Sequence, residues 1–209
     1  MYRNEPLGKY LNDAAAGTPT PGGGSVAALV GALATTMASM SANFTVGREK
    51  FKQYDSQLKE IIAETEKSRE TLLSAMEDDI TVYGGLNSAY ALPKSTEAEK
   101  KVRSEAIQKT TIIAMEVPIK VVMCCLYVLE LTRKLVDIAN PNLISDVGVA
   151  GFLAEAALQC ARLNVEINLA SIKNPTLVEK VQNEISHAEK KAKTFLQEIQ
   201  ERVQATIKK

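Results

Sequence analysis

Apolar residues recur at three-, four- and seven-residue steps through most of this chain, and this period is the feature that most constrains its fold. The clearest stretch runs from Glu49 to about Asn87, where the spacing is kept by Phe51, Leu58, Ile61, Ile62, Leu72, Leu73 and Met76. Such a period places side chains on one face of an α-helix. The sustained alternation of β-branched residues that is typical of strands is nearly absent. The sequence therefore predicts an all-α fold, an up-and-down bundle of long helices in one domain spanning residues 1–209.

The ends of these helices are set by a few local signals, because glycine and proline are sparse outside residues 17–31. Ser95 and Thr96, followed by Glu97 and Glu99, predict an N-terminal cap. Pro118 is expected to kink the helix that follows or to divide it in two, and Pro175 suits a first helical position. We predict a short helix from Leu7 that stops at Gly17, then helices over Gly24 to about Val46, Glu49 to about Asn87, Thr96 to about Ile138, Ile144 to about Ile172, and Pro175 to the C-terminus.

The overall charge and the rare residue types exclude several classes of protein. Lys plus Arg and Asp plus Glu both number 25, and this balance argues against a nucleic-acid partner. The three cysteines, two of them adjacent, do not form a disulfide framework, and no CxxC or HxxxH spacing predicts a metal site. The termini lack a signal-peptide pattern, so we expect a cytoplasmic protein. The single histidine, His187, lies in a charged segment typical of a solvated helix face, which leaves acid–base chemistry to other residue types.

The segment from Ala14 to Gly47 carries no charged residue and is long enough to cross a bilayer. Its serine, threonine and asparagine side chains are spread over several faces of the predicted helix. This distribution favours a central helix packed on all sides by protein, whose small residues let neighbours approach closely. We therefore expect no membrane partner.

The same segment opens with the glycine run of "TPTPGGGSVAALVG". Gly22-x-Gly24-x-x-Ala27 matches a dinucleotide-binding fingerprint in form only, because no strand precedes it, and no Gly-Lys-Ser/Thr completes a P-loop. Two interpretations stay open. The run exposes backbone N–H groups at a helix start, forming an anion- or carbonyl-binding corner with Ser25, or it is a tight entry into a crowded helix.

Several motifs carry a family resemblance. They are "TPTPGGGSVAALVGALATTMASMSANFTVGREKF", "MEDDITVYGGL", "YALPKSTEAEKKVR", "AMEVPIKV" and "NPNLISDVGVAGFLAEAALQCARLNVEINLASI". In this order, over about residues 5–174, they resemble the cyclodeaminase/cyclohydrolase family. The resemblance implies an all-helical homodimer that binds folate in a cleft near the subunit interface. It also implies a reaction at the one-carbon bridge between N5 and N10, with no cofactor beyond the tetrahydrofolate substrate.

The resemblance leaves two activities open. A cyclohydrolase opens 5,10-methenyltetrahydrofolate to 10-formyltetrahydrofolate with water, whereas a cyclodeaminase closes a formimino group onto N10 and releases ammonia. We favour the cyclohydrolase, because the transferase half of the bifunctional family members is absent. A non-catalytic helical interaction protein is the alternative from another class, and it predicts no folate affinity.

Three residues are candidates for catalysis. Asp146 in "ISDVGVA" and Asp79 in "EDDI" are the carboxylates within family-like motifs, and a carboxylate would stabilise the cationic methenyl bridge and activate water. We place Asp146 first. Its alternative role is a helix N-cap, and that of Asp79 is an exposed helix position. Lys94 in "LPKST" is expected to protonate a departing nitrogen, hold the pterin carbonyl or grip the glutamate tail, unless it is a solvated loop residue.

The predicted folate contacts fall into three groups. The first is the glycine corner formed by Gly22, Gly23, Gly24 and Ser25. The second lies around the end of the central helix, where Asn43 is a polar group that needs a partner if it is buried, and Arg48 and Lys50 suit the glutamate carboxylates. The third is Asn142 in the "NPNL" turn.

Overall fold

The computed structural model describes residues 1–208, and the elements within them are helices and turns without a strand. Short 3₁₀ helices at Tyr2–Asn4, Glu49–Tyr54 and Pro141–Leu143 join the main elements. The six α-helices are α1 (Leu7–Ala15), α2 (Gly23–Asn43), α3 (Asp55–Tyr90), α4 (Glu97–Leu135), α5 (Ile144–Leu169) and α6 (Pro175–Ile207). The all-α prediction is confirmed.

Helix α2 packs against α3, α5 and α4. The expectation that protein surrounds it on all sides is wrong, because Val26, Leu33 and Phe44 are exposed along its outer side. Eleven of its 21 residues are buried, and all of these are Gly, Ala, Ser or Thr. In the middle of the helix, at Gly31, an added Cβ would lie 2.8 Å from the Cys125 Sγ and 3.2 Å from the Leu72 side chain. Small residues are therefore required on α2, because the neighbouring helices occupy the space of larger side chains.

Local signals set most helix ends as expected. Thr96 caps α4 with a reciprocal capping box to Glu99, and Pro175 is the first residue of α6. Of the two outcomes expected at Pro118, a kink or a division, the division is excluded, because α4 continues without interruption through this proline. One expectation is wrong in detail, since the segment predicted as one helix from Glu49 begins with a separate 3₁₀ helix and α3 starts at Asp55.

Three segments are long and apolar enough to cross a membrane by length and composition alone, namely Gly23–Asn43, a part of Glu97–Leu135, and Pro141–Leu169. Between 44% and 56% of each apolar window is buried inside the bundle. The remaining apolar side chains of these helices are half-buried or lie on the outside of the bundle.

Candidate active site

The glycine run at the start of α2 packs against the carboxylate of Asp79 on α3. A Cβ built on Gly24 would lie 2.1 Å from the Asp79 Oδ1 and 2.8 Å from its Cγ, far inside van der Waals contact. Glycine is thus required at position 24 so that the Asp79 side chain can reach the helix terminus. The glycine run therefore permits a close approach, and the anion at this corner is a carboxylate of the protein itself.

Asp79 is held at this corner by the first turn of α2. The Ser25 backbone N–H donates to the Asp79 Oδ2 at 2.9 Å, which satisfies one of the N–H groups that a helix start leaves unpaired. The Ser25 hydroxyl donates to the Met76 carbonyl at 2.9 Å and lies 3.0 Å from the Tyr10 hydroxyl. Because the serine proton is used on Met76, Tyr10 donates to Ser25, and this buried network fixes α1, α2 and α3 around the carboxylate.

The environment of Asp79 makes its carboxyl group a better base than an ordinary aspartate. Burial raises the pKa of Asp79 above its usual value, and the hydrogen bond from the Ser25 N–H opposes this only in part. The carboxylate has no ion-pair partner within residues 1–208. A partly desolvated carboxylate with a raised pKa is typical of groups that accept and return protons.

Asp79 lies in the wall of a cavity of about 380 Å³ between α3, α4, α5 and the loop before α2. This volume is within the range of small-molecule sites. The loop contributes Pro19, Thr20 and Gly22, and α2 contributes its first residue, Gly23. The remaining lining residues are Asp79, Val82, Tyr83, Leu86 and Tyr90 on α3, Thr111, Ala114 and Pro118 on α4, and Asn164, Ile167, Asn168 and Ser171 on α5 and its C-terminal turn.

The cavity combines apolar walls with a few polar groups. The side chains of Asn164 and Asn168, spaced four residues apart on α5, bring amide groups to one wall. Thr111 on α4 also lines the cavity, and its buried hydroxyl has no hydrogen-bond partner among residues 1–208. A few polar groups in an otherwise apolar wall are suited to orienting a ligand.

A second cavity of about 420 Å³ adjoins this one near the start of α4 and contains Lys94. Its other lining residues are Lys100, Arg103, Ser104, Ile107, Gln108 and Lys173. The Arg103 guanidinium donates to the Tyr90 carbonyl at 3.1 Å and stacks over the Tyr90 ring, and Tyr90 lines the first cavity. Lys94 is therefore placed beside the main cavity and not at the Asp79 carboxylate.

The glycine corner and Asp79 come together as candidate site residues. Gly22 and Gly23 line the main cavity. Gly24 leaves room for the Asp79 side chain, and the Ser25 N–H donates a hydrogen bond to its carboxylate. The sequence interpretation treated all four as direct folate contacts, and the structure gives two of them a supporting role.

The candidate residues at the far end of the bundle do not meet this cavity. Asp146 lies in the first turn of α5, about 27 Å along the helix from Asn164, and the N-cap is Leu143 instead. Asn43 ends α2, about 30 Å from Gly23, and its amide donates to the Ser39 carbonyl. Their positions do not support roles in the cavity around Asp79.

The remaining predicted contacts are also remote from Asp79. Arg48 and Lys50 are exposed after the C-terminal end of α2, and Asn142 is exposed in the turn before α5, where its N–H donates to the Asn140 side chain. None of the three lines a cavity described here. Binding of the glutamate tail by Arg48 and Lys50 therefore stays a prediction, made for a surface away from the cavity around Asp79.

Sequence reasoning missed several residues that the structure brings to the cavities. Asn164 and Asn168 carried a usable signal, since they are polar residues at one-turn spacing in an apolar helix. Thr111, Arg103 and Lys173 carried none, because only packing between helices brings them close. Among residues 1–208, no cluster of three or more His, Cys, Asp or Glu side chains is positioned to hold a metal ion.

Comparison with known proteins agrees with this architecture. The sequence model of the formiminotransferase-cyclodeaminase family matches residues 6–187. A methenyltetrahydrofolate cyclohydrolase from Methylorubrum extorquens is 33% identical over 99% of this chain and 100% of its own length. A formimidoyltransferase-cyclodeaminase from Rattus norvegicus is 31% identical over 90% of this chain, which spans only 35% of that longer protein.

The fold has a solved counterpart as well. A crystal structure of formiminotetrahydrofolate cyclodeaminase from Thermotoga maritima superposes with a TM-score of 0.91 at 26% identity, over 99% of this chain and all of the other. Sequence and fold thus agree over nearly the whole chain, which belongs to the formiminotransferase-cyclodeaminase family.

Proposed function

We propose that this chain hydrolyses 5,10-methenyltetrahydrofolate to 10-formyltetrahydrofolate. The observation that carries the proposal is the partly desolvated carboxylate of Asp79 in the wall of a ligand-sized cavity. The full-length similarity to a protein named methenyltetrahydrofolate cyclohydrolase supports this substrate. Asp79 thereby takes the acid–base role that the sequence interpretation gave first to Asp146.

The cavity suits a flat ring system with hydrogen-bonding edges. Val82, Leu86 and Pro118 offer apolar surface for the ring faces. The amide nitrogens of Asn164 and Asn168 donate to carbonyls of their own helix, which leaves their side-chain oxygens to accept from the polar edges of a ligand. A pterin has this combination of flat faces and amide-like edges. Apolar walls with a small number of placed polar groups are typical of sites that orient such ligands.

The chemistry of Asp79 follows from the charge of the substrate. The methenyl bridge is an amidinium cation, so a facing carboxylate stabilises it. Asp79 accepts a proton from water as the water oxygen bonds to the bridge carbon, which becomes a neutral tetrahedral centre between N5 and N10. Return of that proton to N5 lets the carbon–N5 bond break. The hydroxyl proton then leaves to solvent, and the formyl group stays on N10.

The raised pKa of Asp79 favours this role. A group that both accepts and returns a proton works best when its pKa is near the operating pH. Burial moves the pKa of Asp79 upward from the ordinary aspartate value and therefore toward that condition. The single N–H donor from Ser25 keeps the carboxylate oriented without strongly stabilising its ionised form.

The cyclodeaminase reaction is the second candidate. It is favoured by the close fold similarity to the Thermotoga maritima protein named formiminotetrahydrofolate cyclodeaminase. In that reaction N10 attacks the formimino carbon, and Asp79 would deliver the proton with which ammonia departs. The same carboxylate and cavity serve both reactions, so the choice between them is made by assay.

The assay compares two substrates with purified protein. We expect accelerated loss of the methenyltetrahydrofolate absorbance over buffer, and no release of ammonia from 5-formiminotetrahydrofolate. The matched control is Asp79→Asn, which keeps the shape of the side chain but cannot accept the proton. Ammonia release without acceleration of the hydrolysis would assign the cyclodeaminase activity, and absence of both reactions would contradict the proposal.

We further propose that the chain is a homodimer, on the basis of its exposed apolar surface. Two stripes at helical spacing lie on the outside of α2 and α5, with Leu33 exposed by 49% and Ile167 by 70%. Their exposed members are Val26, Leu33 and Phe44 on α2, and Val149, Phe152, Ala156, Cys160, Leu163 and Ile167 on α5. Between the exposed residues of α2 lie the half-buried Leu29, Val30, Met37 and Met40. Stripes of this length are typical of protein interfaces.

A second copy of the chain is the occupant that fits this surface best. Ile167 belongs both to the α5 stripe and to the wall of the main cavity, so a partner on the stripe would also shield the cavity from water. Exclusion of water strengthens the interaction of Asp79 with a cationic substrate. Closed two-fold pairing is the commonest arrangement for such a contact.

A further inference from the structure

The carboxylate of Asp79 is the one charged group in the wall of the main cavity. No Lys, Arg or His is among the described residues that line this cavity. Asp79 also forms no ion pair within residues 1–208. Arg103 stacks on the cavity residue Tyr90, but Tyr90 lies eleven residues beyond Asp79, or about 16 Å along α3. The negative charge at the Asp79 end of the cavity is therefore uncompensated.

The polar side chains near Asp79 offer hydrogen-bond acceptors. Asn164 lies against the start of α2, where its side-chain nitrogen is 3.5 Å from a Cβ built on Gly23. The amide nitrogens of Asn164 and Asn168 donate to carbonyls of α5 at 2.9 and 2.8 Å, so their oxygens are left to accept. Among the described residues, only the Ser25 N–H donates to the Asp79 carboxylate, and its other acceptor positions stay open. A ligand that fits this end of the cavity supplies donors or positive charge.

The start of α2 opposes the charge of Asp79 only in part. A helix N-terminus carries the equivalent of about half a positive charge, spread over its unpaired N–H groups. The ionised Asp79 carboxylate carries a full negative charge, and the Ser25 N–H is already directed at it. This end of the cavity thus has a net negative charge, which favours a cationic ligand over an anionic one.

The space beside Asp79 suits a flat apolar ring. Asp79, Val82 and Leu86 follow one another at three- and four-residue steps, so they lie on one face of α3, and Pro118 on α4 adds apolar surface. The cavity volume of about 380 Å³ exceeds the ~150 Å³ of an apolar protein cavity that holds benzene. A planar ring can therefore lie on these side chains while a cationic group at its edge meets the carboxylate.

We infer that the main cavity binds planar amidinium cations as a class, so that a small amidine without a pterin, benzoyl or glutamate part binds at Asp79 and competes with the folate substrate. The inference deepens the proposed function and rests on it for the identity of that substrate. The N–H groups of a simple amidinium match the two oxygens of a carboxylate, as those of arginine do. The methenyl bridge is the same flat N–C–N cation without N–H groups. The formyl product has lost this charge, so the cavity favours the substrate over the product.

Benzamidine is the probe for this inference, and benzamide, which has nearly the same shape without the charge, is its matched control. Both are titrated into the purified full chain near neutral pH and followed by calorimetry. We expect benzamidine to bind with a Kd of about 1 mM or below, an affinity within reach of so few atoms. Benzamide should bind at least about tenfold more weakly, since hydrogen bonds with a charged partner are the stronger ones. Benzamidine should also raise the KM for methenyltetrahydrofolate without changing kcat.

Asp79→Asn removes the charge and keeps the shape of the side chain. It should weaken benzamidine binding by about 10- to 100-fold and leave benzamide binding unchanged. Asp78→Asn is the matched control, because it removes the same charge from the adjacent residue, which lines a different groove between α3 and α4. This control should bind benzamidine like the wild type. Thermal unfolding of both variants establishes that they are folded.

Three outcomes would overturn the inference: equal binding of benzamidine and benzamide to the wild type, retention of the benzamidine affinity in Asp79→Asn, or equal loss of it in Asp78→Asn. Benzamidine binding that leaves the KM for methenyltetrahydrofolate unchanged would overturn it as well, since the cation then lies outside the substrate site. A wild type that binds benzamidine through Asp79 but accelerates neither folate reaction would support the inference and contradict the proposed function. Hydrolysis of methenyltetrahydrofolate without benzamidine binding would overturn the inference alone.

Discussion

Replacing Gly24 by alanine tests whether the close approach of Asp79 to α2 is required for activity. The new Cβ would lie 2.1 Å from the Asp79 Oδ1, where ordinary contact needs about 3.4 Å, so the carboxylate must move by more than an ångström. The backbone of α2 is fixed by its packing between α3 and α5. The Asp79 side chain is therefore the part that yields.

The energetic consequence can be worked from the contacts. Moving Asp79 breaks its hydrogen bond with the Ser25 N–H, and hydrogen bonds to charged groups contribute about 1.5–3 kcal/mol. Alanine has a higher helix propensity than glycine, which offsets up to about 1 kcal/mol of this loss of stability. The displaced Asp79 carboxylate also regains hydration, which offsets a further part of the loss. We expect a net loss of stability of about 1 kcal/mol. Activity should fall much further, by about 10²–10⁴-fold, because the proton acceptor is misplaced.

The measurements are kcat/KM for methenyltetrahydrofolate, or for the formimino substrate, together with thermal unfolding. Gly84→Ala is the matched control, because it lies on the same helix as Asp79 and an added Cβ there meets nothing within 4 Å. It should keep the activity of the wild type. Near-normal turnover in Gly24→Ala, with unfolding unchanged, would refute the argument that this glycine positions the catalytic carboxylate.

Four further predictions follow from the same structure. Asp79→Asn should lower turnover by about 10²–10⁴-fold. Because burial raises the pKa of Asp79, the folded state loses stability as pH rises through that pKa, so Asp79→Asn should melt higher than the wild type at pH 7 and lose this advantage toward pH 4. Gly31→Ala should reduce the free energy of unfolding in denaturant titration by about 1–3 kcal/mol, since its Cβ would lie 2.8 Å from Cys125. Asp146→Asn should keep near-normal turnover in the same assay, and a large loss would return the catalytic role to this residue. Phe152→Lys should convert a dimer to monomers in light scattering, and a wild type that is already monomeric would contradict the proposed interface.

Much of the fold was predictable from the sequence, because helix formation is governed by local patterns. The period of the apolar residues indicated α3, small-residue composition indicated α2 and α5, and the Thr96 cap and the Pro175 start were predicted from a few adjacent residues. Whether Pro118 divides α4 was not predictable, since packing of the surrounding helices outweighs the local cost of a proline.

The candidate site was only partly predictable, because motifs along the chain do not report which residues the packing of the helices brings together. The predicted contacts included Gly23 and Asn43, which begin and end the same α2, about 30 Å apart. A helix of that length cannot bring both ends to one small ligand. The partnership of Gly24 with Asp79, across 55 positions of the sequence, depends on packing between helices and leaves no local signal.

The network that joins Tyr10, Ser25 and Asp79 has a consequence for the refolding of the chain. Its members lie on three helices, and its longest link joins residues 54 positions apart. Helices form on a submicrosecond scale from local contacts, whereas contacts between distant segments must first overcome loop-closure entropy. After dilution from denaturant, the helical circular dichroism signal should therefore return before enzymatic activity does. The interval between the two reports how long a chain with formed helices takes to dock its first and third helices onto the start of the second.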